Sequence, residues 1–529
     1  MNNWGGRSSP AAGLSRRSVL KLAAAAGALA MASSSGIYNA LAQESKPKKG
    51  GHFKIGIGAG ATSDSIDPAT YTNSFTECFG KTLHGYLTGI DADGKLNGEL
   101  AESWDVSKDA KTWTFKLRKS AEFHNGKSLD AEDVLASINH HRGEQSKSGA
   151  KTIVDPIDDV RADGSETVVF ILKAGNADFP YLLEDFHLAI VPAKDGKADI
   201  SGVGAGGYVL DNIDYGVKAT AKRFANYWKS DAAWFDSFEA LAIHDVTART
   251  NALTTGQIHA MDRTDLKTIH LLERNKGLEI LSIAGTQFYC TAIDCAAPPL
   301  DNPDVRLALK YAIDRQQLLD TLLHGHGKLG NDHPIGSTNR FFAKDLPQRE
   351  FDPDKARFHL KKSGLAELKI SLSAADAAFA GAVDAAAIYQ QNSVKAGINI
   401  DVIREPSDGY WDTVWLKKPF YMSYWLGRPT ADWMFSQGYA ADAAWNQGHW
   451  KNGRFNELLL AARSELDDAK RLEMYTEMQS ICRDDGGEVI PVFANNVSAI
   501  SRKIGHKKIA SNWDLDGFRC GERWWFAET

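Results

Sequence analysis

The stretch Asn302–Arg315 reads NPDVRLALKYAIDR. Asn302 is a good helix cap, and Pro303 suits a first turn, where its missing N–H is not needed. Val305, Ala308, Leu309, Ala312 and Ile313 recur at helical spacing on one face, and Gly325 supplies a stop. The pattern predicts a helix from Pro303 to Leu323. Upstream, Thr112–Arg118 (TWTFKLR) alternates strictly, with Trp113, Phe115 and Leu117 together, the mark of a half-buried strand. His52–Ile57 and Thr167–Leu172 also read as strands. Asp130 caps a helix running to about His141, and Asn456–Cys482 reads as helical with a break at Asp467-Asp468. Strands and helices alternate irregularly, so mixed α/β lobes are expected rather than a barrel or a bundle.

The N-terminal end reads differently. Ser15-Arg16-Arg17-Ser18-Val19-Leu20-Lys21 is a twin-arginine pattern, followed by a short apolar run and by Ala40-Leu41-Ala42. Residues 1–42 are expected to be a twin-arginine export signal, cleaved after Ala42, and the mature chain to be periplasmic without membrane insertion. The rest carries 57 basic and 67 acidic residues, a net charge of −10. That balance argues against nucleic acid or an anionic membrane as a partner. Its length allows about three domain-sized units.

Motifs for catalysis are missing. There is no G-x-S-x-G, H-E-x-x-H, Walker lysine or C-x-x-C. No catalytic residue, cofactor or metal is therefore expected. His140-His141 and His324-Gly325-His326 read as surface or turn histidines. The five cysteines (Cys78, Cys290, Cys295, Cys482 and Cys520) are odd in number. In an oxidising compartment Cys290 with Cys295, or Cys482 with Cys520, are possible pairs, and at least one thiol stays free.

The most unusual composition lies in Pro419–Trp450, PFYMSYWLGRPTADWMFSQGYAADAAWNQGHW. With the segment back to Trp411 it holds six of the fourteen tryptophans: Trp411, Trp415, Trp425, Trp433, Trp445 and Trp450. Composition alone is satisfied by a core strand and a packed loop. The same flat, polar-tipped side chains also suit the wall of a ligand cavity.

Several motifs in fixed order resemble a known family. They are Leu100-Ala101-Glu102-Ser103-Trp104, Lys111–Arg118, Phe123-His124-Asn125-Gly126-Lys127 with Asp133-Val134, and Ala248–Leu253 with Thr255-Gly256-Gln257. Asn302–Arg315, Phe351–Ala356 and Lys470-Arg471 through Tyr475 to Gln479 follow. Together they resemble the periplasmic solute-binding proteins of ABC importers, the dipeptide/oligopeptide-binding family (family 5 extracellular solute-binding proteins). The resemblance implies an α/β, two-lobed periplasmic binding protein fold (type II, large peptide-binding subclass) with an inserted third accessory lobe. Lobe I would combine 51–88, 206–300 and 487–529; the accessory lobe would be 89–205, and lobe II 301–486. The partners implied are a small-molecule or short-peptide ligand and an inner-membrane ABC permease with its ATPase subunits; the protein itself is expected to be a monomer. In peptide-binding relatives a tryptophan is followed three residues later by an aspartate that pairs with the peptide ammonium. Here the run is Trp425-Leu426-Gly427-Arg428, so an arginine stands at the aspartate position. A guanidinium pairs with a carboxylate or phosphate instead. The expected binding residues are Tyr71, Asn73, Trp411, Tyr424, Trp425, Arg428, Asp432 and Trp433. The aromatic ones would stack on a peptide, an opine, an acylated amino acid or a sugar conjugate; Asp432 is either an amine ligand or a turn or cap residue. A cofactor-containing exported enzyme is the alternative class.

Overall fold

The computed structural model describes residues 46–528, so the export segment expected at 1–42 lies outside them. Strand β1 (His52–Ile57) is buried at Phe53, Ile55 and Ile57 and leads to helix α1 (Ser74–Leu83). Next come β2 (Ala101–Val106), β3 (Thr112–Leu117), α2 (Ala131–His140), β4 (Ile157–Ala162) and β5 (Thr167–Leu172). These strands form an antiparallel sheet in the order β2-β3-β5-β4, with Trp113, Phe115 and Leu117 in its apolar cluster as their alternation requires. Asp130 and Asp133 close a reciprocal capping box on α2.

The chain then adds β6 (Tyr208–Asp214), β7 (Lys218–Arg223), β8 (Ser237–Ala242), the short β9 (Ala260–Met261) and the 16-residue β10 (Leu278–Ile293). Helices α3 (Pro303–Tyr311) and α4 (Arg315–Leu322) precede β11 (Gly327–Leu329), β12 (Leu368–Ala374), α5 (Ala382–Ser393) and β13 (Ile398–Arg404). The last part holds β14 (Phe420–Trp425), α6 (Ala431–Gly438), α7 (Gly453–Ser464), α8 (Asp468–Asp485) and the 14-residue β15 (Glu488–Ser501). Among the described residues one eleven-stranded sheet runs β6-β7-β8-β1-β9-β15-β10-β14-β12-β13, with β11 paired to β15.

Two strands carry that sheet from one core to another. Leu281 of β10 and Ile500 of β15 lie in a cluster with Phe53, Phe75 and Phe238. Farther along the same strands, Ala292, Ile293, Val489 and Val492 belong to a second cluster with Leu309, Tyr389 and Phe420. Between these halves the ladder breaks: Ala284 pairs with Asn495 and Phe288 with Phe493, so Gly285-Thr286-Gln287 face Ala494 alone. A bulge of this kind bends a strand and frees a few residues to pivot.

Several expectations are corrected. The helix expected over Pro303–Leu323 is two helices, because the Asp314 carboxylate accepts from Gln317 N at 3.0 Å and caps a new start. The apolar stripe stays buried across the break. The break at Asp467 is present, with its carboxylate accepting from Ala469 N and Lys470 N, and α7 begins at Gly453 rather than Asn456. Of the two histidines expected at the surface or in a turn, His140 is half-buried and His141 lies in the turn after α2 but is buried. His140 pairs with Asp67 at 2.8 Å, and His141, 1% exposed, bonds Ser148 Oγ. Cys290 and Cys295 do not pair: the Cys290 sulfur meets Gln447 Nε2, the Cys295 sulfur meets the Ile293 carbonyl, and both thiols are free. Cys482 and Cys520 sit in different apolar clusters.

The bulge also fixes the turn after β14. Gly427 has φ +75°, and a Cβ there would lie 2.4 Å from both the carbonyl oxygen and the Cβ of Thr286. Gly427→Ala is expected to destabilise the fold by about 2–4 kcal/mol, from left-handed strain plus a backbone clash. Urea unfolding checks this, and a loss below about 1 kcal/mol would contradict the packing described.

Candidate ligand cleft

β14 pairs with β10 so that Tyr424 opposes Tyr289 and Trp425 opposes Phe288. Successive strand residues face opposite sides, which separates Tyr424 from Trp425. Trp425, 5% exposed, enters the cluster of Phe288, Phe435 and Tyr439. Tyr424 is half-buried on the other cluster, beside the Tyr289 ring that stacks on Phe379 at 4.1 Å. A chain of ring contacts wraps the strand end, from Tyr424 to Trp411 (5.6 Å), then through Trp415 and Trp445 to Trp425 (6.0 Å). Trp411 and Trp445 keep 38% and 44% of their surface exposed, enough to offer a face to a ligand.

Beyond Trp425 the turn presents Arg428. Its Nε donates to Gln437 Oε1 at 2.6 Å and its Nη1 to the Gly427 carbonyl at 2.5 Å. Thr430 caps α6 by accepting from Trp433 N, and that helix carries both Gln437 and Trp433 back beneath the guanidinium. The Arg428 Cζ lies 5.8 Å from the Trp425 ring centroid and 5.5 Å from that of Trp433. Among the described residues no carboxylate hydrogen-bonds Arg428, and its Nη2 has no protein partner. Burial lowers its pKa to about 10, with the charge of Asp185 opposing that shift, so it remains a cation at neutral pH. A half-buried guanidinium with a free edge can donate paired charge-assisted hydrogen bonds to an anion.

Asp185 is itself engaged: its Oδ1 accepts from His187 N and meets His187 Nδ1 at 2.6 Å. Burial disfavours charge on His187, but the bond to Asp185 prevails and raises its pKa. His187 Nε2 lies 2.8 Å from the carbonyl oxygen of Tyr71.

The expected site residues thus divide. Trp411, Tyr424, Trp425, Arg428 and Trp433 come together around the end of β14. Tyr71 is 1% exposed in the core, its hydroxyl donating to Ile66 O and its ring filling the space beside Gly80. Asn73 is the N-cap of α1, accepting from Phe75 N and Thr76 N while donating to Asp64. Asp432 is turned away and held by Arg463 Nε at 3.0 Å. Its carboxyl is pushed up to about 6 by burial, against the pull of Arg463. It caps nothing, since Thr430 does that.

Sequence reading missed four contributors. Gln437 orients Arg428, and nothing in its spacing announces it. Asp185, in an Asp-Phe-His run, was legible only as a loop acid. A small cleft beside the turn is lined by Thr286, Pro429, Thr430, Arg340, Tyr181 and Asn512, and both amide atoms of Asn512 lack a partner. Gln447, 1% exposed, ties the aromatic wall together. Its Oε1 accepts from Trp415 Nε1 and Ser423 Oγ, and its Nε2 donates to Glu488 Oε1 at 2.6 Å. Tyr439 OH donates to the other Glu488 oxygen.

Comparison with known proteins places these features in context. Residues 95–447 match the family model described as bacterial extracellular solute-binding proteins, family 5 Middle. The glutathione-binding protein GsiB of Escherichia coli O1:K1 is 25% identical over 467 residues, covering 85% of this chain and 91% of that protein. Among solved structures, HbpA2 from Haemophilus parasuis superposes with a TM-score of 0.79 at 18% identity, covering 88% of this chain and 99% of its own. AgaA from A. tumefaciens R10, in complex with agropinic acid, gives 0.71 at 22% identity, covering 90% and 99%. Among the described residues no helix is long and apolar enough to cross a membrane.

Glu488 makes the wall sensitive to pH. Burial raises its pKa from 4.5 to about 7, against the bonds from Tyr439 and Gln447. The folded state therefore holds a proton that the unfolded chain has released. The associated stability is complete below about pH 4.5 and is lost as the pH rises through about 7, by at most roughly 3 kcal/mol. In melting curves from pH 4.5 to 8, Glu488→Gln is expected to flatten the decline seen in the native protein. Parallel profiles would contradict this assignment.

Proposed function

Because the chain belongs to the bacterial extracellular solute-binding proteins, family 5, we propose that it captures a carboxylate-bearing peptide or peptide-like solute, with Arg428 as the anchor. It is the periplasmic substrate-binding component of an ABC import system for peptides or similar solutes. The observation that carries the carboxylate reading is the guanidinium of Arg428, held by Gln437 and Gly427 with its Nη2 unpartnered. A free peptide ammonium would meet repulsion there, whereas a carboxylate gains paired charge-assisted bonds. Exposed faces of Trp411 and Trp445 and the ring of Trp433 suit the body of such a ligand. Tyr71, Asn73 and Asp432 have packing, capping and ion-pairing duties and contribute to the cleft through their neighbours. The glutathione-binding relative and the agropinic acid complex are compatible with this class.

Lobe I is assigned to 51–88, 206–300 and 487–529, the accessory lobe to 89–205 and lobe II to 301–486. The separate apolar cluster of the accessory segment supports its division, whereas Ala292, Ile293, Val489 and Val492, next to the bounds of lobe I, pack with the lobe II cluster beyond Gly285–Gln287, the pivot of this reading.

A thermal-shift screen with opines, N-acyl amino acids, dipeptides and oligosaccharides tests the ligand class. A ligand at 100 times its dissociation constant stabilises by about 2.7 kcal/mol. Arg428→Ala is expected to weaken binding of the carboxylate ligand by about 2–4 kcal/mol without lowering the melting temperature of the free protein. Unchanged affinity, or shifts from free-amine peptides alone, would overturn the assignment. Export is assigned to the twin-arginine route; replacing Arg16 and Arg17 by lysine is expected to leave the precursor in the cytoplasm. Continued export of that variant would show another route.

A further inference from the structure

Two of the five cysteines, 442 residues apart in sequence, touch. The Sγ atoms of Cys78 and Cys520 are 3.8 Å apart, and both residues are fully buried. Cys78 lies mid-way along α1, and Cys520 begins a short helical turn, Cys520–Arg523, near the end of the chain. That turn is docked tightly on α1 and its surroundings. Gly521 packs against Phe238 so closely that a Cβ would lie 2.9 Å from the ring, and its carbonyl accepts from Tyr208 OH. Trp524 is wholly buried, and the charges of Arg519, Glu522 and Lys229 are paired around it. The other three sulfurs have different neighbours: Cys290 meets Gln447 Nε2, Cys295 the Ile293 carbonyl, and Cys482 lies in the cluster of Tyr475 and Met478.

We propose that Cys78 and Cys520 form a disulfide that fastens the C-terminal segment to α1. A sulfur–sulfur bond is about 2.0 Å long, so the two atoms must approach by a little under 2 Å, within the reach of side-chain rotation in a contact already made. The chemistry is a thiol–disulfide exchange with a low-molecular-weight disulfide such as oxidised glutathione. One cysteine thiolate attacks the donor, forming a mixed disulfide and releasing one donor thiol. The second thiolate attacks the protein sulfur of that mixed disulfide and releases the other. The pair loses two electrons and two protons, and the donor gains them. In the folded protein both thiols are sealed, and burial together with their mutual contact raises the pKa of Cys78, so exchange there is suppressed. The bond therefore forms in the periplasm when the last segment transiently undocks, and it is protected once the segment is back in place.

The test is to unfold the full chain in urea with reductant and refold it in a glutathione redox buffer. It is then alkylated under denaturing conditions without reductant and mapped by mass spectrometry. The expected result is one cross-linked peptide pair joining Cys78 to Cys520 and three alkylated thiols. Five alkylated thiols, or a cross-link involving another cysteine, would overturn the proposal. A second readout guards against a folding defect in variants. Reductant is expected to lower the melting temperature of the native protein by several degrees and to leave that of Cys78→Ser unchanged. Equal response of the two proteins would also overturn it.

Discussion

Everything in this molecule depends on two strands being shared by two cores. β10 and β15 each contribute apolar side chains to one cluster near Phe53 and to another near Leu309. Strands that feed two cores cannot slip by one residue without turning their core side chains to the wrong faces. The ladder relaxes at Gly285–Gln287 opposite Ala494 and again between Tyr289 and Thr291. The turn bearing Arg428 is packed onto the first of these through Gly427 and Thr286. Thr286 also donates to the Leu426 carbonyl. The bulge and the Arg428 turn are thus packed as one unit.

The electrostatics of the turn follow from that placement. Arg428 is half-buried, clamped by Gln437 and the Gly427 carbonyl, and feels the charge of Asp185, a carboxylate that His187 already occupies. This leaves the guanidinium charged but incompletely paired. An interior cation is costly unless an anion completes its shell. On the proposed reading, ligand capture supplies the missing partner.

Much of the local structure was legible in sequence. Alternation at Trp113, Phe115 and Leu117, the caps at Asp130 and Asn302, and the break at Asp467 depend on neighbours within a few residues. Asp314 was the local signal misread: it was taken into a helix whose restart it caps. What escaped reading is long-range. Tyr71 and Asn73 were expected at the cleft, yet one fills space beside Gly80 and the other caps α1. Asp432 lies four residues from Arg428 but turns to Arg463, a choice made by the packing of α7 on α6. Gln437, Gln447 and Glu488 gain their roles only when β14, β10 and β15 assemble. The contact of Cys78 with Cys520 spans nearly the whole chain, and composition suggested other pairings.

The most direct measurement is a crystal structure of the protein with the solute that gives the largest thermal shift. The account predicts a ligand carboxylate on the free edge of the Arg428 guanidinium, at about 2.7–2.9 Å, the usual length for a charge-assisted bond. A bound solute that leaves Arg428 without a ligand oxygen, or that places an ammonium beside it, would contradict the account.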